Sequence, residues 1–320
     1  MSKLPDRRSA VLLMGPTGSG KSELALKLAE QLPVEIVSVD SAQVYRGMDI
    51  GTAKPTVATR IRVPHHLIDI RDAATGYSVG EFTQDVLYAL QGIWSRGRLP
   101  LLVGGTMMYF HALTTGIAEL PEADAAVRAR IDASAAKHGW AAVHKELAEV
   151  DPQAAARIHV NDPQRIQRAL EVHRVTGQTI TELQQARVSV FADVNLMEFA
   201  LAPLERGELH TKIELRFKAM LDAGFVEEVR CLYERGDLSP EHPSMRAVGY
   251  RQLWRYLAGL TSLNEATEQA IAATRQLAKR QFTWLRRRAQ ARWLDAMRPD
   301  VARTIFNALS EGGFANWSNL

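Results

Sequence analysis

The first part of the chain alternates short apolar runs with amphipathic segments. A short continuous apolar run predicts a strand buried on both faces. The four-residue spacing of Leu24, Leu28 and Leu32 predicts a helix with one apolar face. Strand–helix alternation in turn predicts a parallel sheet with helices on both faces. The predicted strands are residues 9–14, 34–39, 65–70 and 99–103, and the predicted helices among them are residues 22–32 and 78–96.

The pattern changes near Pro121, after which only helical patterns occur to about residue 187. Within this stretch, Asn161-Asp162-Pro163 is typical of a helix start and Gly177 of a helix end. A strand is predicted again at residues 195–202, and helices continue to about residue 292. We therefore expect an α/β core made of residues 1–117 and 193–320, interrupted by an all-helical insertion domain at residues 118–192.

Composition narrows the class of protein. Hydrophobic residues make up 46% and charged residues 23% of the 320 residues, which excludes global disorder. The single cysteine, Cys231, excludes a disulfide framework and a thiolate metal cluster, and we expect it to face the core. We find no signal-peptide pattern and no apolar run near the roughly 20 residues of a membrane span. A cytoplasmic protein without a membrane partner is therefore predicted.

One segment matches the phosphate-binding pattern G-x-x-x-x-G-K-S/T and lies between a predicted buried strand and a predicted helix. Glycines allow backbone N–H groups to curl around an anion, and the helix start adds its unpaired N–H groups. The lysine supplies a charge to the phosphates, and the final serine hydroxyl suits a phosphate-bound Mg²⁺. We predict a P-loop NTPase-like core whose loop does not by itself select ATP, GTP or another diphosphate. The loop is Gly15, Pro16, Thr17, Gly18, Ser19, Gly20, Lys21 and Ser22.

Two polar residues follow predicted strands and should lie near this loop. Asp40 follows residues 34–39 and Thr106 follows residues 99–103, and the carboxyl ends of parallel strands meet at the ligand crevice. Asp40 could bind metal or accept a proton, or it could cap a turn. Thr106 could face an anion or only cap a helix. We interpret His65, His66 and Asp69 as structural residues.

Basic residues cluster with aromatic ones in the last third of the chain. From Arg275 to Arg292 there are several basic residues and no acidic one, with Phe282 and Trp284 among them and Trp293 next. Such a stripe suits phosphate contacts and base stacking, so it favours RNA binding. The alternative is a solvated helix face with the aromatic rings turned to the core. A second basic group is Arg246, Arg251 and Arg255, with Tyr250 and Trp254 between them.

Together these motifs resemble the tRNA isopentenyltransferase family, the tRNA dimethylallyltransferases. The similar segments follow the family order over about residues 10–290. Besides the P-loop, they are Asp40-Ser41-Ala42-Gln43-Val44-Tyr45, Pro64-His65-His66-Leu67-Ile68-Asp69, Val103-Gly104-Gly105-Thr106, Arg165-Ile166-Gln167-Arg168-Ala169-Leu170-Glu171-Val172, Arg246-Ala247-Val248-Gly249-Tyr250-Arg251 and Lys279-Arg280-Gln281-Phe282-Thr283-Trp284-Leu285-Arg286.

The resemblance implies transfer of a dimethylallyl group from dimethylallyl diphosphate to the exocyclic amine of the adenine on the 3′ side of the tRNA anticodon. The P-loop would then hold the diphosphate leaving group, with Mg²⁺ as cofactor and Ser22 as its ligand. Asp40 would be the general base, Thr106 would lie beside the diphosphate and the target nucleotide, and Arg216 would contact the diphosphate.

The resemblance also implies a set of tRNA-binding residues and a monomeric enzyme whose helical insertion contacts the anticodon stem-loop. The predicted tRNA-binding residues are Asp40, Ser41, Ala42, Gln43, Thr106, Arg128, Gln164, Arg165, Ile166, Gln167, Arg168, Arg246, Gly249, Tyr250, Arg251, Lys279, Arg280, Gln281, Trp284 and Arg286.

Three other functions share the P-loop. A transferase acting on free adenine nucleotides would need neither the insertion nor the basic C-terminal helix. A small-molecule or nucleotide kinase would use the loop for ATP and bring its arginines in a short lid, whereas the arginines here are spread along a long insertion. The third alternative is not primarily an enzyme: it is an RNA-binding switch that hydrolyses a nucleoside triphosphate. Binding of dimethylallyl diphosphate without ATP turnover separates the transferases from the other two.

Overall fold

The computed structural model describes residues 8–118, 120–186, 188–312 and 314. In this part of the chain, six strands form one sheet in which every adjacent pair is parallel. The order across the sheet is β3-β2-β4-β1-β5-β6. The strands are β1 Ser9–Met14, β2 Val34–Val39, β3 His65–His66, β4 Leu99–Gly104, β5 Asn195–Ala202 and β6 Arg292–Asp295.

Helices connect and flank the strands, so the predicted P-loop-type α/β class is confirmed. Local sequence explains several helix ends. Ser78 and Glu81 form a reciprocal capping box at the start of α3, and Asp162, Pro163 and Gly177 bound α8 as predicted. The helices are α1 Lys21–Ala29, α2 Val57–Arg62, α3 Val79–Ser95, α4 Met107–Thr115, α5 Ala125–His138, α6 Trp140–Val150, α7 Pro152–Arg157, α8 Pro163–Thr176, α9 Ile180–Leu183, α10 Arg206–Asp222, α11 Phe225–Glu234, α12 Tyr250–Leu257, α13 Leu263–Leu285 and α14 Val301–Glu311, with a 3₁₀ turn at Gln184–Ala186.

The chain divides into two compact units, residues 1–111 with 193–320 and residues 112–192. The first unit contains the sheet, and the second is helical. The observed boundary lies between His111 and Ala112, within α4, whereas we predicted it at residue 118, after that helix. No helix in the described ranges is both long and apolar enough to cross a membrane.

Apolar side chains fill a separate core in each unit. Strands β1, β4 and β5 pack with α1 and α14 through residues such as Leu13, Leu28 and Ile305. Helices α10 to α13 pack around Phe225 and Tyr250, which are fully buried. In the second unit, the core contains Val127, Ile131, Leu147, Ile166 and Leu170. Ile166, which we predicted to contact tRNA, is fully buried, so its side chain packs in this core instead.

Three predictions about local structure need correction. The strand predicted at residues 65–70 ends at His66, because Leu67 and Asp69 adopt left-handed backbone angles (φ 63° and 58°) that no strand continues. The helix predicted to Leu32 ends at Ala29. Cys231 is exposed rather than buried, since α11 turns Phe225, Val229 and Leu232 to the core.

His65, His66 and Asp69 have structural partners, which confirms our interpretation of them. The His65 ring lies 2.7 Å from the Val63 carbonyl oxygen, and the His66 ring lies 2.7 Å from the Glu35 carboxylate. Asp69 pairs with Lys54 and Arg60, each at 2.6 Å. The Lys54 side chain is only 2% exposed, so this carboxylate neutralises a buried charge.

The buried carboxylate of Glu171 organises the helical unit. It accepts hydrogen bonds from Arg128 (2.8 and 3.0 Å), Arg168 (2.6 Å) and the Asp124 N–H (2.8 Å). Burial alone would raise the pKa of Glu171, but these hydrogen bonds outweigh burial and lower it. Arg168 also donates to the Pro121 carbonyl (2.7 Å). Arg128 and Arg168, both predicted to contact tRNA, thus have internal partners in this structure.

We predict that Glu171→Ala destabilises the helical unit by about 2 kcal/mol, because it leaves two guanidinium groups and one N–H without their buried acceptor. Hydrogen exchange of the α5 and α8 amides measures the loss directly. The control is Glu146→Ala, which removes an ion pair with Arg174 whose side chains are both about a third exposed, and it should cost less than about 1 kcal/mol. Equal losses in the two variants would contradict a central role for Glu171.

Candidate active site

The P-loop has the geometry of an anion site. Gly15 leaves the end of β1 so tightly that an added Cβ would lie 2.2 Å from the Leu201 carbonyl oxygen of β5. Gly18 and Gly20 adopt φ values of 80° and 87°, which favour glycine. Helix α1 then begins at Lys21. Its first N–H groups and its positive dipole end therefore lie at the loop, where a phosphate group is favoured.

Lys21 lies folded against its own loop. Its Nζ donates to the Pro16 carbonyl (2.6 Å) and contacts the Ser19 hydroxyl (3.4 Å). The pKa of Lys21 is lowered to about 7, mainly by burial and also by the nearby Arg216 charge, while Asp40 opposes the shift. The surroundings of Lys21 thus disfavour its positive charge, and a bound anion would stabilise that charge.

Asp40 uses only one of its carboxylate oxygens for local structure. Oδ1 accepts the N–H groups of Ala42 (2.8 Å) and Gln43 (3.3 Å), which is the turn cap that we weighed as an alternative. Oδ2 makes no hydrogen bond within the described ranges. One oxygen thus orients the side chain, and the other is left to accept a proton from a ligand.

Thr106 joins the two loops that follow β2 and β4. Its N–H donates to the Val39 carbonyl (3.2 Å), and its Oγ1 accepts the Ser41 N–H (3.1 Å). Its carbonyl accepts the Tyr109 N–H (2.9 Å), so Thr106 also begins α4. The helix-cap and crevice interpretations of Thr106 are therefore compatible, because one residue does both.

Two adjoining cavities open around these residues, both within the first unit. One of about 430 Å³ is bounded by the P-loop, including Lys21 and Ser22. The other, of about 470 Å³, has an apolar wall that includes Ile213, Phe217 and Phe225. The walls that both cavities share are Thr17, Asp40, Thr52, Gly105, Arg216, Met220 and Gln281. The P-loop cavity thus continues at Asp40 into a second cavity, the apolar cavity, which has an apolar wall and is also lined by Arg246 and Arg280.

Arg216 is a cation without a protein partner in the described ranges. It lies on α10, is half-buried and lines both cavities. Burial lowers the pKa of its guanidinium, and Asp40 opposes that shift. A half-buried guanidinium without an ion pair suits an oxyanion ligand.

The basic stripe divides into paired and unpaired residues. Arg275 pairs with Glu214 (3.1 Å) and Arg288 with Glu198 (2.6 Å). The remaining cations of the stripe are exposed and form no ion pair with a described residue, and among them Arg280 lines the apolar cavity with Arg246 and Trp284. The unpaired cations are Lys279, Arg280, Arg286, Arg287 and Arg292.

Two predicted tRNA-binding residues belong to the core instead. Tyr250 is fully buried, and its hydroxyl donates to Glu228. Gly249 is buried with φ 93°, and an added Cβ would lie 2.8 Å from the Phe225 ring. The buried Tyr250 ring cannot stack on a base and Gly249 serves close packing, so these two predictions are corrected to structural roles. Trp254 is also buried, as the alternative interpretation of the aromatic rings foresaw.

Sequence reasoning missed Glu228 and the loop that it holds. The Glu228 carboxylate accepts the N–H groups of Asp49 (2.8 Å), Ile50 (2.6 Å) and Gly51 (3.1 Å). The next residue, Thr52, lines both cavities and its carbonyl accepts Gln43 Nε2 (3.2 Å). No local pattern in α11 marks Glu228, because its partners lie about 180 residues earlier in the chain.

The fold and site define an α/β protein of the P-loop class, with an anion chamber that opens onto an apolar cavity. The family model for "IPP transferase" matches residues 43–288. A tRNA dimethylallyltransferase from Nitrosococcus oceani is 59% identical over 303 residues, which cover 95% of this chain and 96% of that protein. The chain belongs to the IPP transferase family.

Solved structures agree with this assignment. The tRNA isopentenylpyrophosphate transferase from Bacillus halodurans is 36% identical, with a TM-score of 0.70 over 96% of this chain and 99% of that one. The corresponding enzyme from Staphylococcus epidermidis is 30% identical, with a TM-score of 0.68 over 95% and 99% of the two chains. A eukaryotic dimethylallyltransferase acting on tRNA is 25% identical, with a TM-score of 0.82 over 97% of this chain and 80% of that one.

We predict that binding of inorganic diphosphate takes up a proton above pH 7. The bound anion raises the pKa of Lys21 from about 7, so affinity should fall between pH 7 and 9 by up to about tenfold per pH unit. Isothermal titration calorimetry measures both affinity and proton uptake. In Lys21→Arg the guanidinium stays charged over this pH range, so residue 21 takes up no proton on binding. The ionisation of diphosphate itself affects both proteins equally. Parallel pH profiles for the two proteins would contradict the prediction.

Proposed function

We propose that the protein transfers a dimethylallyl group from dimethylallyl diphosphate to the exocyclic amine of the adenine on the 3′ side of the anticodon in tRNA, producing an isopentenyladenosine and free diphosphate. The observation that carries this proposal is the junction of the two cavities at Asp40, with the P-loop and Lys21 on one side and the apolar wall of Ile213, Phe217 and Phe225 on the other. The similarity to enzymes named for this activity supports it.

The P-loop cavity suits the diphosphate. Charge grows on the leaving diphosphate as its bond to carbon breaks, and fixed N–H groups and cations that face it lower the barrier. The P-loop backbone, Lys21 and Arg216 supply these groups. The dimethylallyl chain then lies toward Ile213, Phe217 and Met220, where burial favours a hydrocarbon and excludes water from an allylic cation-like centre.

Mg²⁺ fits the residues that line the P-loop cavity. Ser22 presents an exposed hydroxyl at the start of α1, and no group of three or more His, Cys, Asp or Glu side chains suited to a metal occurs in the described ranges. Mg²⁺ commonly takes one or two protein oxygens and fills its other positions with water and substrate phosphates. Ser22 would hold the ion, which would supply charge neutralisation to the diphosphate.

Asp40 would take the proton. The adenine amine nitrogen forms a bond to the first carbon of the dimethylallyl group, the bond from that carbon to the diphosphate oxygen breaks, and the diphosphate leaves with the electron pair. The amine proton passes to Asp40, whose Oδ2 has no other partner among the described residues. Oδ1 keeps the carboxylate aligned through the Ala42 and Gln43 N–H groups.

The unpaired cations of α13 and of the segment after it suit the tRNA backbone. Lys279, Arg286 and Arg287 are exposed, and Arg280 and Trp284 continue into the apolar cavity. The target adenine must leave the anticodon stack to reach Asp40, and unstacking costs a few kcal/mol. The helical insertion would also contact the anticodon stem-loop. We expect a monomer that acts in the cytoplasm, where its tRNA substrate is found.

We predict that the purified protein with Mg²⁺ and labelled dimethylallyl diphosphate will prenylate an anticodon stem-loop with consecutive adenines, and that ATP will not be turned over. Asp40→Ala should lower the rate at least about 100-fold because the base is lost, with RNA binding unchanged. Nucleoside analysis of the RNA gives the position of the label. Label that appears on free AMP and never on RNA would contradict the proposed function. A normal rate in Asp40→Ala would contradict the role of Asp40 as the base.

We predict that neutralising Arg286 and Arg287 together weakens RNA binding and flattens its salt dependence. Each lost phosphate contact should reduce the slope of log K against log salt by about 0.7 to 1. Filter binding over a series of salt concentrations measures this slope. The matched control is Arg298→Ala with Arg303→Ala, which removes the same charge beside and within α14. An unchanged slope in the Arg286 and Arg287 variant would show that these charges face away from RNA.

A further inference from the structure

Gln281 joins two loops of the active site through one amide group. It lies on α13 and is 8% exposed. Its Oε1 accepts the Thr17 N–H of the P-loop (2.9 Å), and its Nε2 donates to the Gly105 carbonyl (2.8 Å). We had predicted a contact between Gln281 and tRNA, but both ends of the amide are engaged within the protein.

The space around this amide is closely fitted. A Cβ added to Gly105 would lie 2.5 Å from Gln281 Nε2 and 3.3 Å from the Gly15 carbonyl oxygen. A side chain at Gly105 would therefore displace the Gln281 amide from its position between the two loops. The P-loop, the loop after β4 and α13 meet at this point.

The position of Thr106 follows from the same contact. Gly105 directly precedes Thr106, and Thr106 is tied to Val39 and Ser41 on either side of Asp40. The Gln281 amide therefore links the P-loop, which would hold the leaving group, to the loop of Thr106, which lies beside Asp40, just beyond the end of the β1–β4 pairing. Within the described ranges, no side chain of the P-loop hydrogen-bonds to the loop after β4, and no side chain of that loop hydrogen-bonds to the P-loop.

Gln281 also lies among the cations that we propose for RNA. Arg280 precedes it, and Trp284, one helical turn further along α13, lines the apolar cavity with it. An RNA contact on α13 is therefore made by the same helix that holds both loops.

We propose that Gln281 is a positioning residue for group transfer: it holds the leaving-group loop and the Asp40–Thr106 loop in register with the RNA-binding face of α13. This rests on the proposed function. The amide is required because one end must accept and the other must donate, which among side chains of this length only glutamine does without a charge. A misplacement of about 1 Å between reacting groups can cost about 100-fold in rate.

The test compares Gln281→Met and Gln281→Glu with Gln276→Met and Gln276→Glu, since Gln276 is an exposed glutamine on the same helix. We expect kcat to fall about 100-fold in Gln281→Met, with the Kd for stem-loop RNA and for inorganic diphosphate within about threefold of wild type. The Gln276 variants should be unchanged. Losses that follow thermal unfolding, or that appear in RNA affinity alone, would overturn the proposal.

A pH profile provides a second readout. In Gln281→Glu, the carboxylate places an acceptor against the Gly105 carbonyl, but the protonated acid regains a donor and mimics the amide. The kcat ratio of Gln281→Glu to Gln281→Met should therefore rise as the pH falls from 8 to 5.5, and taking the ratio cancels any pH dependence that both variants share. A flat ratio would overturn the proposal. Wild-type protein that does not prenylate RNA would instead contradict the proposed function, so the two failures are distinguishable.

Discussion

The close approach of the ends of β2 and β4 is the constraint on which the site depends. Gly104 pairs with Val39, and an added Cβ at Gly104 would lie 2.0 Å from the Val39 carbonyl oxygen. Because these strands end together, Asp40 and Thr106 follow them as neighbours. β1 pairs with β4 on the other side, so the P-loop begins beside the same edge. Parallel strands thus place an anion site and a carboxylate at one crevice before any ligand is bound.

The charges and the apolar wall of this crevice indicate which ligand it would bind. Lys21 and Arg216 share a partly buried space with one carboxylate, and burial lowers the pKa of both cations. An anion completes this arrangement. In a kinase the same loop would hold ATP and a phosphoryl group would move. Here the chamber continues into an apolar wall with Phe217 and Phe225. A diphosphate carried on a hydrocarbon would fit both parts, and in the function that we propose the group that moves is the hydrocarbon.

Features encoded by neighbouring residues could be predicted from the sequence, and features that depend on distant partners could not. The strands at 9–14, 34–39 and 195–202 have the predicted bounds, because apolar residues predominate in each of them. β6 and α14 were not predicted: β6 is a four-residue strand whose first two residues are exposed, and it forms only against β5.

Ile166 and Tyr250 lie in motifs of the family, yet both are buried, since a motif does not distinguish a ligand contact from a packing contact. Glu228 acts on a loop far away in sequence, so nothing local marks it, and the motif that contains Gln281 does not reveal that its amide binds two distant loops.

The central claim is that the P-loop holds a leaving group and that no phosphoryl group moves. Dimethylallyl diphosphate labelled with carbon-14 in its chain and phosphorus-32 in its diphosphate tests this claim most directly. After reaction with an anticodon stem-loop, we expect carbon-14 in the RNA and an equal amount of phosphorus-32 in free inorganic diphosphate. Phosphorus-32 in the RNA, or in orthophosphate without carbon-14 transfer, would contradict it.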